Sequence, residues 1–165
     1  MNYHNITKDD MLNGDGLRVV LWVAGCSHHC KGCHNPVTWN EKDGLPFDNN
    51  AKNEIFALLN KDYISGITFS GGDPLMMCNR EEVGNFIKEI KNLYPNKTIW
   101  LYTGFTFEEI KHLDFIPLID VIVDGKFVLE QKDEKLLWKG SANQRVINVK
   151  ETLKNNKIVL HCENY

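Results

Sequence analysis

The 165-residue sequence contains no apolar run approaching the roughly 18 uninterrupted residues of a membrane helix, so no membrane-spanning segment is expected. It has no strong excess of either charge: 19 Lys and Arg stand against 22 Asp and Glu, a formal −3. The basic residues are scattered, without the stripe that phosphate backbones select, and nucleic acid is not an expected partner. The opening stretch MNYHNITKDDML is polar and acidic where a signal peptide is basic and then apolar. No internal repeat, low-complexity tract or linker interrupts the chain, and residues 1–165 are expected to form one domain. The cysteines do not form a disulfide framework: their number, five, is odd, and three are crowded together. That pattern suits a reducing compartment and metal or redox chemistry, so the expected location is the cytoplasm.

What is present alternates in kind. LRVVLWVAG (17–25) is a continuous apolar run with a β-branched middle, the mark of a buried strand. FDNNAKNEIFALLN then places Ala51, Ile55, Leu58 and Leu59 on one helical face, with Asp48 or Asn49 as its cap. ISGITFS (64–70) is a second strand, stopped by GGDP. From Asn79, the spacing of Val83, Phe86, Ile87, Ile90 and Leu93 predicts a helix lying on a sheet. KTIWLYTG (97–104) and LIDVIVDG (118–125) are further strands. Between them Thr106 and Glu109 make a capping box, opening a helix through Leu113. This rhythm argues for a parallel α/β sheet. After Gly125 it weakens, and one or two more strands are expected without a place in the sheet. The cysteine loop, GGDP, TGF and DGK each follow a strand directly. In a parallel sheet these carboxyl ends are where sites assemble, so the four segments should meet at one edge.

Within GCSHHCKGCHNP (25–36), Cys26, Cys30 and Cys33 share one loop, with Gly25 and Gly32 giving the backbone freedom to wrap an ion or cluster. Thiolates select zinc or the iron of iron–sulfur clusters. A structural zinc needs four protein ligands, typically two spaced pairs. His28, His29, His34, Cys78 and Cys162 are the candidates for a fourth. A [4Fe–4S] cube is wider, can take three thiolates from one loop, and then keeps one iron open for a small molecule. In TFSGGDP (68–74) two glycines at a strand end let a ligand approach the main chain, and Asp73 adds a charge able to hold an ammonium group. Alone, such a turn is common. One βα unit after a three-cysteine loop it becomes specific.

The spacing Cys-x₃-Cys-x₂-Cys followed by a Gly-Gly-acid turn resembles the radical S-adenosylmethionine superfamily. Within it the chain is most similar to the activating enzymes of anaerobic (class III) ribonucleoside-triphosphate reductases. The likeness runs through residues 13–40, SGGDPL (70–75), IWLYTGF (99–105), DVIVDGKF (120–127) and LWKGSANQR (137–145). Two departures stand out: Gly32 occupies a position where many superfamily members carry an aromatic residue, and Asp73 one where many carry Glu. The resemblance implies an incomplete parallel β/α barrel of the compact kind. It implies that Cys26, Cys30 and Cys33 hold a [4Fe–4S] cluster whose open iron is chelated by S-adenosyl-L-methionine. Gly71, Gly72 and Asp73 would take the methionine amino group, with Gly72 the stronger contact. The backbone of Gly32, Cys33 and His34 would lie against adenine or ribose, and Asp124 and Lys126 at the ribose or carboxylate end. The implied activity is one-electron cleavage to a 5′-deoxyadenosyl radical, which abstracts hydrogen from a glycine of the large catalytic subunit of the reductase. A flavodoxin-type or other low-potential reductant would supply the electron, and the resemblance admits a homodimer. Two other readings remain open: an activase of another glycyl-radical enzyme, such as a pyruvate formate-lyase-like partner, and a non-catalytic zinc or iron–sulfur module.

Overall fold

The computed structural model describes residues 1–162. Among these residues, seven strands form one open sheet: β1 (Asn2–Asp10), β2 (Leu17–Val23), β3 (Leu45–Pro46), β4 (Ile64–Gly71), β5 (Thr98–Tyr102), β6 (Val121–Asp124) and β7 (Arg145–Asn148), in the order β3-β1-β2-β4-β5-β6-β7. The four apolar runs read from the sequence are its centre, β2-β4-β5-β6, and all three pairings among them are parallel. The flanks differ from the parallel expectation: β1 and β7 pair antiparallel with β2 and β6, so the sheet is mixed. Of the one or two further strands expected in the tail, β7 forms, and Leu160 adds an isolated bridge to Ile147.

One sheet face is apolar because alternate strand residues are. Val19, Leu21, Ile67, Phe69, Ile99, Leu101 and Ile122 point to the same side and share a core with two helices, α1 (Asn49–Leu59) and α2 (Arg80–Leu93). α1 buries the four predicted residues, and its cap is Asp48, whose carboxylate accepts from the Ala51 amide at 3.0 Å. Phe86 of α2 sits among Phe47, Phe56 and Phe69, with ring centroids 5.0 to 6.1 Å away. Each such side chain contributes roughly 1.5–3 kcal/mol by leaving water.

The capping box forms, with the Thr106 amide and hydroxyl both donating to Glu109. The helix it opens, α3 (Phe107–Ile110), is shorter than predicted. The chain turns beyond Lys111 and makes a 3₁₀ turn at Ile116–Leu118, which trims the fourth parallel strand to Val121–Asp124. A last helix, α4 (Val149–Asn155), follows β7. The opposite sheet face carries Arg18, Thr68, Trp100, Val121, Val123 and Val146, partly covered by Trp138. Among the described residues, no helix is long and apolar enough to cross a membrane.

Candidate functional site

Beyond β2 the cysteine loop is held at its base from two sides. On one side the turn after β4 lies against it: the Gly72 amide donates to Val23 at 2.7 Å and the Asp73 amide to Gly25 at 2.8 Å. The two glycines make this approach possible. Gly71 has φ +99°, and a Cβ on Gly72 would fall 2.5 Å from the Gly25 carbonyl oxygen. The buried Asn79 side chain completes the joint by donating to Ala24 at 2.8 Å and to the Asp73 carbonyl at 3.1 Å. On the other side, the Gly25 and Cys26 amides donate to Thr38 and Trp39 at 2.7 and 3.0 Å.

Above this joint lies a cavity of about 460 Å³. Cys26, Cys30 and Cys33 line it, with the Gly71–Asp73 turn, residues 102–104 at the end of β5, and Gly125 after β6. The four strand ends thus converge as their position predicted. All three thiols are free and half-buried. Burial pushes the Cys26 thiol up to about 11, against a hydrogen bond from the His28 amide. The Asn35 amide reaches Cys33 Sγ at 3.4 Å. Amides directed at sulfur are the kind of donor that tunes a bound cluster.

Among the described residues, no group of three or more His, Cys, Asp or Glu side chains converges on a single metal ion. Three thiols spread along one cavity wall fit a multi-iron cluster better than one tetrahedral zinc. Of the five candidates for a fourth ligand, His28 and His34 line this cavity and the others do not. Cys78 is exposed, and Cys162 borders a separate cavity of about 200 Å³. His29, at φ +49°, rests on the Trp39 ring at 4.6 Å. His34 lines the main cavity and meets Phe127 edge-on at 5.4 Å. His28 is engaged by Asp73 at 2.7 Å.

The other expected contacts are placed unequally. Cys33, His34, Gly71, Gly72 and Asp73 line the cavity, whereas Gly32 faces outward at φ +75° against Leu129. Asp124 is buried at the end of β6, where both its oxygens accept from Arg145 and one also from the Phe107 amide. Lys126 is exposed. Neither lines the cavity; Gly125 between them does.

Several cavity residues lay outside the sequence reading, among them Trp22, Ser70 and Tyr102. Trp22 pairs with Ser70, and each of the three directly follows Leu21, Phe69 or Leu101, which pair across the same parallel strands, so they were legible as a period-two row on the opposite face. Burial raises the Tyr102 phenol well above its ordinary range. Trp138, Lys139 and Gln144 complete the far wall. Gln144 explains part of the KGSANQR stretch: its carbonyl accepts from the Gly140 and Ser141 amides at 2.9 and 3.1 Å. Its amide donates to Gly125 at 2.9 Å, tying this wall to the end of β6.

The chain matches the 4Fe-4S single cluster domain family over residues 12–147. It is 48% identical over 146 residues to the anaerobic ribonucleoside-triphosphate reductase-activating protein of enterobacteria phage T4, covering 88% of this chain and 93% of that one. Proteins of the same description from Haemophilus influenzae and Escherichia coli K12 are 42% identical over 148 residues and 41% over 150. Those alignments cover 87% and 88% of this chain and 96% and 97% of the relatives.

Proposed function

The chain belongs to the family of anaerobic ribonucleoside-triphosphate reductase-activating proteins, with a 4Fe-4S domain, and we propose that it is a radical S-adenosylmethionine enzyme that installs the glycyl radical on the large catalytic subunit of that reductase. The observation that carries this reading is the set of three free thiols on one wall of a cavity whose other walls are strand ends rich in backbone polar groups. When bound, the cluster and S-adenosylmethionine supply one-electron cleavage of the sulfonium, ending in abstraction of a hydrogen from a glycine of the partner.

This chain's residues bind, orient and exclude water. Cys26, Cys30 and Cys33 hold the cluster, and the Asn35 amide at Cys33 contributes to its potential. The main chain at Gly71 and Gly72, stripped of Cβ atoms where it approaches the loop, takes the methionine end. Cys33 and His34 present backbone to the adenosine end. Trp22, Tyr102 and Trp138 give the cavity aromatic walls that keep water from a reactive intermediate. The open sheet, parallel at its centre, is read as an incomplete β/α barrel in one domain, working in the cytoplasm with a flavodoxin-type or other low-potential donor.

Anaerobic reconstitution tests the reading. About four irons and four sulfides should bind per chain, the stoichiometry of a [4Fe–4S] cluster. The dithionite-reduced protein should cleave S-adenosylmethionine, and Cys30→Ala should abolish both. Tight zinc binding without iron uptake would refute the proposal. Cleavage by the Cys30 variant would refute the ligand assignment. Co-purification with pyruvate formate-lyase in place of the large reductase subunit would refute the partner.

A further inference from the structure

The acid of the Gly-Gly-Asp turn is fully engaged within the protein. The side chains of Asp73 and His28 are 2% and 8% exposed. Asp73 Oδ1 accepts from the Leu75 amide and the Thr103 hydroxyl, both at 2.9 Å. Oδ2 accepts from the Gly104 amide at 2.9 Å and faces His28 Nε2 at 2.7 Å, with the Thr103 hydroxyl shared at 3.0 Å. A carboxylate offers about four lone-pair positions. Here all are taken by donors of the chain itself, which leaves none for a ligand's ammonium group. Because the carboxylate is the acceptor, Nε2 of His28 carries the hydrogen, and this fixes the tautomer and the plane of the ring. The ring has little room to turn. Phe105 meets it edge-on at 4.8 Å, and a Cβ on Gly104 would fall 2.5 Å from its Cδ2.

His28 stands between Cys26 and Cys30, at the middle of the loop whose base is already tied to β4. We infer that Asp73 and His28 are a positioning pair: a buried carboxylate–imidazole clamp that fixes the middle of the cysteine loop, and so the spacing of its thiols, to the ends of β4 and β5. Asp73 on this view acts through His28 and does not touch the cofactor. The consequence for cluster retention rests on the function proposed above, while the clamp itself is a property of the loop and is testable without iron.

The test uses the full chain with His28→Leu, His28→Gln, Asp73→Asn and the His28→Leu/Asp73→Asn double variant. Gln keeps an N–H donor near the position of Nε2; Leu removes it. Two readouts are taken: amide hydrogen exchange over residues 25–35 of the iron-free protein, and the rate at which a chelator strips iron from the reconstituted protein. A charge-assisted hydrogen bond of this kind sets an effect of about tenfold to a hundredfold. His28→Leu should speed both processes by that factor in the wild-type background and add clearly less in the Asp73→Asn background, where the remaining amide oxygen makes only a weaker, uncharged hydrogen bond. His28→Gln should stay within about threefold of wild type, because one donor is kept. Unchanged loop exchange in His28→Leu, or additive effects in the double variant, would overturn the clamp. So would an Asp73→Asn protein that keeps its iron normally but loses the change that S-adenosylmethionine makes in the electron paramagnetic resonance spectrum of the reduced cluster, which would place Asp73 on the ligand. Should Asp73→Asn fail to fold, the Leu and Gln variants at position 28 decide by their difference in exchange. A wild-type chain that binds no iron refutes the cluster reading and leaves the exchange result standing on its own.

Discussion

Replacing Arg18 by lysine keeps the charge and changes only how the donors are arranged. Arg18 is completely buried at the start of β2, on the sheet face that leads to the cavity. Its five N–H groups all have partners: Nε donates to the Thr68 hydroxyl at 2.9 Å, Nη1 to the Asp15 carbonyl and Thr98 hydroxyl at 3.0 and 2.8 Å, and Nη2 to the Ile67 and Thr98 carbonyls at 2.8 and 3.0 Å. All five acceptors are neutral oxygens, and the guanidinium lies 5.5 Å from the centre of the Trp100 ring. Burial lowers its pKa to about 10, which still leaves it charged at neutral pH. An ammonium has three donors on one atom and cannot span acceptors spread over β4, β5 and the 11–16 loop. At least two acceptors are then stranded at about 1–3 kcal/mol each, so Arg18→Lys should destabilise by about 4 kcal/mol. For a chain of this size that corresponds to a fall of about 8–16 °C in Tm. Arg18→Met removes a charge whose burial opposes folding by about 3 kcal/mol, but it strands all five acceptors, so it should be no more stable than Arg18→Lys. Urea and thermal unfolding of the three proteins at pH 7 measure this. A lysine variant within about 0.5 kcal/mol of wild type, below the range for one lost hydrogen bond, or a methionine variant at or above wild-type stability, would show that donor geometry is not what holds this side chain in place.

Two further outcomes follow from the same kind of reasoning. Gly72→Ala directs a methyl group at the backbone of Gly25, at 2.5 Å from its oxygen and 3.0 Å from its nitrogen. Backbone cannot rotate away, so the variant should lose about 1–3 kcal/mol and most of its iron uptake; normal uptake would mean the turn can shift without disturbing the cysteines. Glu108 is held below the usual carboxylate range chiefly by its hydrogen bond from Arg145. A depressed folded pKa contributes stability above the unfolded value and loses it as pH falls through the folded one. Glu108→Gln should therefore be less stable than wild type at pH 7, by no more than about 1 kcal/mol because the group is exposed. The gap should narrow as the pH falls below the ordinary carboxylate range and through the folded pKa, and a gap that does not shrink with acid would refute the assignment.

The centre of the fold was legible because its signals are redundant. Each of the four parallel strands is a β-branched or aromatic run ended by a glycine or acid, and α1 and α2 repeat apolar residues at 3.6-residue spacing. β1 was not legible. Only Ile6 within it is buried. Shifts in its register with β2, between Tyr3 and Asn5 and between Thr7 and Asp10, break the alternation by which a half-buried strand announces itself. β7 was hidden for another reason. Four residues leave too short a period to count, and its pairing with β6 is fixed at long range, where Arg145 meets Asp124. The overestimated helix after Thr106 is the reverse case: a capping box states where a helix starts and carries no information on its length.

The site divides along the same line. Cysteine and glycine spacing reports covalent and backbone constraints, which are local, so the thiol loop and the Gly-Gly turn could be found one residue at a time. The acids could not be assigned that way, because what a carboxylate does depends on which donors reach it. Asp73 and Asp124 both stand at strand ends and both look available in sequence, yet both are buried and bonded within the protein, one by His28, Thr103 and two amides, the other by Arg145 and the Phe107 amide. Apart from the Leu75 amide, every one of these partners lies at least 17 residues away. A buried acid in this fold therefore works by holding a neighbouring loop against a strand end. What else lines the cavity is glycine backbone, which the spacing marks, and the aromatic row at Trp22 and Tyr102, which it does not.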